Sequence, residues 1–281
     1  MTGMRDESAE RAREHVGTVR CIALGPEIVF GDVDGNLERI VAALRAVRSD
    51  EPQLVVATEL ATSGYVFTGR AEAERLAMAS DDARWRDVVD ALGARTVAVI
   101  GFCERADGGL FNSALVATAA GIAAVYRKSH LWADEKKVFE SGQSAGLVVE
   151  TPIGRVGVAI CYDNEFPEVP RHLALAGADI LALPVNWPLV DRPTGERAPE
   201  LIQAMAAARS SRLPTVVADR TGSERGVVWT GGTAIIDGDG WIVAGADGAP
   251  DASAAVAITP GVKALGDLND LFADRRADLY G

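Results

Sequence analysis

Residues 155–188 read RVGVAICYDNEFPEVPRHLALAGADILALPVNWP, and their pattern indicates the fold class of the whole chain. An apolar run ends at Cys161, polar and acidic residues follow it, and a pattern typical of a helix then begins. We predict a helix over about 167–176 and a second apolar strand over 179–185. A strand–helix–strand succession with mostly apolar strands predicts a sheet that is covered on both faces.

The same alternation extends in both directions from this stretch. Further helices are predicted over 36–47, 71–94 (one helix or two) and 196–212, where the spacing of apolar residues is helical. Other strands are predicted over 19–24, 53–58, 96–102, 111–118, 121–128, a close pair within 146–160, 214–219, a hairpin within 231–246 and, as the last of the series, 254–260. The simplest architecture is therefore a single α/β domain with sheets sandwiched between layers of helices.

The composition argues against several classes of protein. The formal net charge of −12 argues against nucleic acid and anionic membranes as partners, because both need a basic face. No apolar run reaches the roughly 18 residues that span a bilayer, and the charged N-terminus has no secretory h-region. We expect residues 1–17 to form a solvated extension and residues 18–281 to form the domain.

The cysteine and histidine content bears on redox compartment and on metals. The three cysteines are widely spaced, which favours free thiols in a reducing cytoplasm over a disulfide framework. There is no CxxC pair and there are only 3 histidines, so no zinc site is predicted. We predict no cofactor.

Three reactive side chains come at the ends of predicted strands. Glu59 follows QLVVAT, Lys128 ends GIAAVYRK and Cys161 follows RVGVAI. Ligand sites in α/β sheets form beyond the carboxyl ends of strands, so a carboxylate, an ammonium and a thiol are expected to meet there. Lys128 stands out because lysine is rare in this arginine-rich chain, and because only lysine offers a compact charge with an adjustable pKa.

These three residue types fit the chemistry of a thiol nucleophile. A thiol with a pKa of about 8.5 needs activation, and Glu59 would take its proton as a general base. A helix that begins near Pro167 would favour the thiolate. Lys128 and the backbone N–H of Tyr162 would stabilise the negative oxygen formed when the thiolate attacks a carbonyl or nitrile carbon.

Each of these residues also has a purely structural interpretation. Cys161 would be a buried core thiol, as Cys21 and Cys103 are expected to be. Glu59 would be a solvated loop residue, and Lys128 would pair with a surface acid.

A cysteine–histidine pair is the rival way to activate the thiol. His130 lies two residues after Lys128, and His172 lies on the helix predicted after Cys161. We expect His130 to order the loop that follows Lys128, and His172 to lie on a helix surface or at an interface. The glutamate-based interpretation is therefore preferred.

Three blocks of sequence together resemble the nitrilase superfamily of carbon–nitrogen hydrolases: ELATSGY (59–65), YRKSHLWADEKKVFESG (126–142) and ICYDNEFPEVPRHLALAGADILALP (160–184). The resemblance extends over about residues 19–280. It implies a four-layer α-β-β-α sandwich and a Glu–Lys–Cys catalytic set, carried here by Glu59, Lys128 and Cys161.

The resemblance implies three further features. A second glutamate, Glu135, would keep Lys128 oriented or help to transfer protons, although DEKK alone reads as a solvated surface run. Members commonly form homodimers or larger homo-oligomers, and residues of about 263–281 would form an interface segment. The chain departs from the family at Thr58, where a proline frequently precedes the first catalytic glutamate.

Five residues are expected to shape a substrate pocket: Tyr65, Trp132, Tyr162, Asn186 and Trp187. For each aromatic residue, plain packing is the alternative. The expected reaction converts a primary carboxamide to a carboxylic acid and ammonia through a cysteine thioester. The alternatives are hydrolysis of an N-carbamoyl amine, hydrolysis of a nitrile, and a non-catalytic binding protein on the same scaffold.

Overall fold

The computed structural model describes residues 17–261 and 263–280. The predicted extension over residues 1–17 therefore falls, except for Gly17, outside the described residues.

The strands are β1 (Thr18–Leu24), β2 (Gln53–Ala57), β3 (Thr96–Ala106), β4 (Gly109–Thr118), β5 (Gly121–Arg127), β6 (Leu147–Thr151), β7 (Gly154–Val158), β8 (Ile180–Pro184), β9 (Thr215–Ala218), β10 (Ser223–Glu224), β11 (Val227–Val228), β12 (Ala234–Ile236), β13 (Ile242–Gly245), β14 (Ala252–Ala257), β15 (Ala264–Gly266) and β16 (Asn269–Asp270). The α-helices are α1 (Val33–Ala46), α2 (Arg70–Leu76), α3 (Trp85–Ala91), α4 (Glu168–Leu175) and α5 (Pro199–Ser211). Short 3₁₀ helices occupy Ala133–Lys137, Cys161–Glu165 and Ala277–Leu279.

Two six-stranded sheets form the centre of the molecule. The first sheet has the order β14-β1-β2-β3-β4-β5 and the second has the order β13-β12-β9-β8-β7-β6. Strands β1, β2 and β3 run parallel, as do β7, β8 and β9, and the remaining pairings are antiparallel. Each sheet therefore has a parallel centre with antiparallel strands at its edges.

Alternating side chains of the first sheet face two different cores, because successive strand residues point to opposite faces. On one face, Ile22 and Val55 pack with Ile40 of α1 and Val88 of α3. The other face belongs to a core that includes the second sheet and the apolar residues of α4 and α5. The layers are thus helices, sheet, sheet, helices, which confirms the predicted four-layer α-β-β-α sandwich.

The helices begin and end for local reasons. The Asp32 side chain caps α1 by accepting a hydrogen bond from the Gly35 N–H at 3.1 Å. Helix α5 begins with Pro199, whose fixed φ suits a first turn, and is followed by Arg212 in the left-handed conformation with φ +48°. These two helices cover opposite outer faces of the sandwich.

The region 71–94, predicted as one helix or two, forms two helices, α2 and α3, separated by a short connection. The structure departs from the sequence prediction at two places. The strand series does not close at 254–260, because the hairpin of β15 and β16 follows it. A second small hairpin, β10–β11, was not predicted, since its strands are only two residues long and carry no apolar periodicity.

No helix among the described residues is long and apolar enough to cross a membrane. The same residues contain no group of three or more His, Cys, Asp or Glu side chains placed to hold a metal ion.

Candidate active site

The three reactive residues follow strands of both sheets. Glu59 lies two residues beyond β2, and Lys128 comes directly after β5. Strand β5 points the same way as β2, because two antiparallel pairings separate β5 from β3, which is parallel to β2. Cys161 lies three residues beyond β7 in the facing sheet. A carboxylate and an ammonium from one sheet thus meet a thiol from the other.

Lys128 is fully buried between two carboxylates. Its Nζ donates to Glu59 Oε1 at 2.6 Å and to Glu135 Oε1 at 2.9 Å. The Asn112 side-chain amide donates to the same Glu59 oxygen at 2.7 Å. Burial of a charge is costly unless it is paired and hydrogen-bonded, and this network supplies both. The sequence-based alternative of a surface ion pair for Lys128 is therefore excluded by its burial.

Glu135 is held from three sides. Its Oε1 accepts from Lys128 and from the Tyr65 hydroxyl at 2.6 Å, and its Oε2 accepts from the backbone N–H of Trp132 at 3.0 Å. It is buried, so it is not the solvated member of a charged surface run. Tyr65 is likewise bonded into the site by its hydroxyl group rather than serving as packing alone.

The turn that carries Cys161 is fixed by a buried carboxylate. Asp163 Oδ2 accepts from the Ile160 N–H at 3.0 Å and from the Tyr126 hydroxyl at 2.8 Å. Asp163 Oδ1 meets His130 Nδ1 at 2.8 Å and accepts from the His130 backbone N–H at 3.0 Å. The loop after Lys128 is thereby tied to the Cys161 turn, as predicted for His130. His172 is exposed on α4, also as predicted.

Backbone strain concentrates at this site. Cys161, Leu60 and Ala133 have φ values of +47°, +49° and +42°, in the left-handed region that L-residues with a Cβ seldom adopt. Cys161 is the thiol residue itself, Leu60 follows Glu59, and Ala133 starts the 3₁₀ helix of Glu135. Strain of this kind costs about 1–3 kcal/mol per residue and clusters at functional sites, where the surrounding structure holds it.

Burial and the neighbouring charges set the protonation of the carboxyl group and the ammonium. Burial raises the pKa of Glu59 to about 7, although the charge of Lys128 lowers it and that of Glu135 raises it further. Burial opposes the charge on Lys128, but the carboxylates of Glu135 and Glu59 outweigh it, so the Lys128 pKa lies well above its usual value. Lys128 is therefore a cation at neutral pH, and Glu59 is poised to exchange a proton near neutrality.

The thiol of Cys161 is not a resting thiolate. Burial, together with the negative charge of Glu59, raises its pKa well above the usual value, although Lys128 and the Asn186 backbone N–H act in the opposite direction. The helix predicted to begin near Pro167 is α4, which starts at Glu168 with Pro167 as its N-cap, and a 3₁₀ turn over Cys161–Glu165 separates it from the thiol. Activation therefore requires removal of the thiol proton by a base.

A small cavity opens beside Cys161. Its volume is about 130 Å³, and it is lined by Trp132, Cys161, Tyr162, Glu165, Asn186, Trp187, Pro188, Pro199 and Glu200. Four of the five predicted pocket residues thus line it, and the fifth, Tyr65, lies in the network around Glu135. The Tyr162 N–H is in the first turn of its 3₁₀ helix, where amides have no intrahelical partner.

Asn186 and Trp187 are held in position by main-chain and buried polar groups. The Asn186 side-chain amide donates to the Glu59 carbonyl oxygen at 2.8 Å. The Trp187 N–H donates to Asp219 Oδ1 at 3.0 Å, and a Cβ on Gly232 would lie 2.9 Å from the Trp187 ring. The segment after β8 is thereby locked against both Glu59 and the rest of its own sheet.

Sequence reasoning missed several residues of the site. Asn112 lies within β4 and Asp163 lies within the turn after Cys161, and their role depends on contacts that are distant in sequence. Gly101 of β3 was also missed: a Cβ there would fall against the Thr58 carbonyl oxygen and 2.6 Å from Glu59 Cα. A glycine inside an apolar strand is the one local signal that indicates such a close backbone approach. Glu165 and Glu200, which line the cavity, carried no sequence signal.

Comparison with known proteins agrees with this fold. Residues 18–261 match the carbon-nitrogen hydrolase family. The chain is 32% identical to a nitrilase of Pyrococcus abyssi, over 93% of this chain and 98% of that protein. It is 34% identical to an (R)-stereoselective amidase of Pseudomonas sp., over 74% of this chain and 73% of that protein.

A solved structure shares the fold. It is a mutant of the amidase from Nesterenkonia sp. AN1, with a TM-score of 0.75, 22% identity and coverage of 94% of this chain and 97% of that chain. In that protein, the acetamide moiety of fluoroacetamide is covalently added at the active site cysteine.

The fold and the site thus define an α-β-β-α sandwich that holds a buried thiol, an ammonium and carboxylates beyond the carboxyl ends of its strands. The chain belongs to the carbon–nitrogen hydrolase family, within the nitrilase superfamily.

Proposed function

We propose that the protein hydrolyses linear primary carboxamides to carboxylic acids and ammonia, with Cys161 as nucleophile, Glu59 as general base and acid, and Lys128 as oxyanion stabiliser. The observation that carries this proposal is the buried Glu59–Lys128–Glu135 network, which adjoins the strained Cys161 and its cavity. Family relatives that are named as an amidase and a nitrilase support the reaction class.

In the first half-reaction, the Cys161 thiol gives its proton to Glu59 as its sulfur attacks the amide carbon. Glu59 Oε2 suits this step, because it is buried and has no hydrogen-bond partner among the described residues. The negative oxygen that forms is stabilised by Lys128 and by the Tyr162 N–H. The proton on Glu59 then passes to the amide nitrogen, the carbon–nitrogen bond breaks, and ammonia leaves a thioester on Cys161.

In the second half-reaction, Glu59 takes a proton from water, and the resulting hydroxide attacks the thioester carbon. The carbon–sulfur bond breaks, the sulfur regains a proton, and the carboxylic acid leaves. Glu135 acts on Lys128 rather than on the substrate in this scheme. With its charge and its bond at 2.9 Å it keeps the ammonium protonated and oriented between the two carboxylates.

Replacement of Cys161 tests the proposal. We expect Cys161→Ala to abolish ammonia release from a panel of linear amides, because no other group can form the thioester. Cys103→Ala, which removes a buried thiol in a separate apolar core, is the matched control and should retain turnover. Ammonia release by Cys161→Ala at the wild-type rate would contradict the proposal.

The products separate the remaining candidates. An N-carbamoyl amine hydrolase would release carbon dioxide together with ammonia, and a nitrilase would accept nitriles in place of amides. A non-catalytic binding protein would turn over none of these compounds. Homo-oligomerisation, an interface at about 263–281 and a cytoplasmic location stay predictions.

A further inference from the structure

Two carboxylates line the same cavity as Cys161. Glu165 is the last residue of the 3₁₀ helix that starts at Cys161, and Glu200 lies in the first turn of α5. Neither carboxylate has an ion-pair or hydrogen-bond partner in the described part of the chain, and Glu200 Oε2 is buried without one. Glu165 is an exposed residue, but desolvation of its carboxyl group and the charge of Glu200 raise its pKa, so the two groups lie close enough to repel each other.

The position of Glu200 in a helix explains only part of this arrangement. A carboxylate in a first turn interacts favourably with the helix dipole, which accounts for an acid on α5. It does not account for a buried oxygen that accepts no hydrogen bond, since such groups are normally satisfied. A ligand with a donor would satisfy it.

Asn186, which lines the same cavity, carries a further acceptor. Asn186 is fully buried, and its side-chain N–H donates to the Glu59 carbonyl oxygen at 2.8 Å. This bond fixes the orientation of the amide, and Asn186 Oδ1 is buried without a hydrogen-bond partner among the described residues. The lining of the cavity thus contains two carboxylates and an amide oxygen but no lysine or arginine, so its charge favours a positively charged molecule.

The remaining walls also suit a cation. Trp132 and Tyr162 meet edge to face with ring centroids 4.9 Å apart, and Trp187 completes the aromatic lining. Aromatic faces attract ammonium groups, most strongly where water is excluded. The volume of about 130 Å³ is well below the roughly 300–1,000 Å³ of sites for drug-sized ligands, which points to a short chain.

We infer that the preferred substrate is a short primary amide with a cationic amino group at its far end, held by Glu165 and Glu200 against the aromatic walls. The inference rests on the proposed amide hydrolysis at Cys161. It adds a specificity subsite in which the ammonium pairs with the two carboxylates and supplies the donor that Glu200 Oε2 lacks among the described residues.

Matched amides of equal length test this subsite. β-Alaninamide, γ-aminobutyramide and δ-aminovaleramide are compared with butanamide, pentanamide and hexanamide, in which a methyl group replaces the ammonium, and with glutaramate, which carries a carboxylate. We expect kcat/KM for the best cationic amide to exceed that of its neutral match by about tenfold or more, since hydrogen bonds to charged groups are strong. Glutaramate should be the poorest substrate, and added salt should reduce the preference.

Two variants locate the effect. Glu200→Gln and Glu165→Gln should each lower the ratio of kcat/KM for the cationic amide to kcat/KM for its neutral match, and this ratio is the readout whatever the level of turnover. Glu168→Gln changes an exposed acid three residues after Glu165 that does not line the cavity; it is the matched control and should leave the preference unchanged. Equal or better turnover of the neutral amide by the wild-type protein would overturn the inference.

Failure of the chemistry is distinguishable from failure of the subsite. If no amide is hydrolysed, the proposed function fails, and the subsite is judged by binding alone. Trp132 and Trp187 line the cavity, so tryptophan fluorescence should then respond to n-butylammonium chloride but not to butanol, and Glu200→Gln should remove the response. An equal response to both compounds, or none to either, would overturn the subsite.

Discussion

Glu59 occupies an environment that no solvated glutamate experiences. One carboxylate oxygen is bonded to Lys128 and Asn112, and the other is buried without a hydrogen-bond partner in the described part of the chain. Burial raises its pKa to about 7, so the group can take a proton from a thiol and give it up again at neutral pH. A glutamate at its ordinary pKa would be a weaker base and a poorer source of a proton for the leaving ammonia.

This pKa predicts the pH dependence of the reaction. Glu59 must be ionised to accept the thiol proton. The value of kcat/KM for a neutral amide should therefore rise with pH up to about pH 7 and then level off. The Cys161 pKa is raised well above its usual value, so no second inflection is expected between pH 7 and its titration. The measurement is kcat/KM across this pH range, because its pH dependence reports the pKa values of the essential groups in the free enzyme.

Asp219 provides the control for this assignment, because burial raises its pKa to about 7 as well. Asp219→Asn should keep the inflection if Glu59 causes it, whatever the level of activity. A rate that is flat through pH 7, or an inflection that disappears in Asp219→Asn, would contradict the assignment to Glu59.

At the scale of single elements, the sequence predicted most of the sandwich. Its strands are continuous apolar runs, and helix α1 carries a clear apolar stripe, so both kinds of element can be recognised from the local sequence pattern. Glu59, Lys128 and Cys161 were identifiable because each comes where a strand ends. Asn112 was not, because an asparagine in mid-strand gives no local sign that it will bridge two carboxylates. The hairpin of β15 and β16 was missed for a similar reason, since each strand is stabilised mainly by its partner.

Strand β3 positions Glu59 through one glycine. The Gly101 carbonyl oxygen accepts from the Ala61 N–H at 2.8 Å, and a Cβ at Gly101 would press on the backbone at Thr58, Glu59 and Leu60. The strand and the turn after β2 can approach this closely only because residue 101 has no side chain.

We therefore expect Gly101→Ala to lower kcat and to reduce the free energy of unfolding by about 1–3 kcal/mol, as overpacking typically does. Gly266→Ala is the matched control, because a Cβ there meets nothing within 4 Å. Steady-state kinetics and denaturant unfolding measure both effects. A Gly101→Ala protein with wild-type kcat and stability would show that the close approach does not position Glu59.

At the scale of the whole molecule, the site depends on how the two sheets face each other. The base and the ammonium follow strands of the first sheet, and the thiol follows a strand of the second. The two sets are linked just beyond the carboxyl ends of the strands. There the Asn186 amide donates to the Glu59 carbonyl oxygen, and Asp163 ties the Cys161 turn to the loop after Lys128. In the proposed mechanism, packing of the sandwich therefore sets the distance over which the proton moves.

The C-terminal segment packs on its own chain over part of its length. Lys263 donates to the carbonyl oxygens of Ala178 and Arg212, and the Arg171 guanidinium lies 4.0 Å from the centre of the Phe272 ring. Leu268 and Leu279 are nevertheless exposed. These apolar side chains agree with the predicted role of this segment at an interface between copies, which stays a prediction.

Acyl transfer to hydroxylamine tests the central claim, a thioester on Cys161, most directly. Hydroxylamine competes with water for an acyl-enzyme, so an amide and the methyl ester of the same acid should give the same ratio of hydroxamate to acid, because both pass through one intermediate. Cys161→Ala should form no hydroxamate from either compound. Ammonia release without any hydroxamate, or hydroxamate formation by Cys161→Ala at the wild-type rate, would contradict the account.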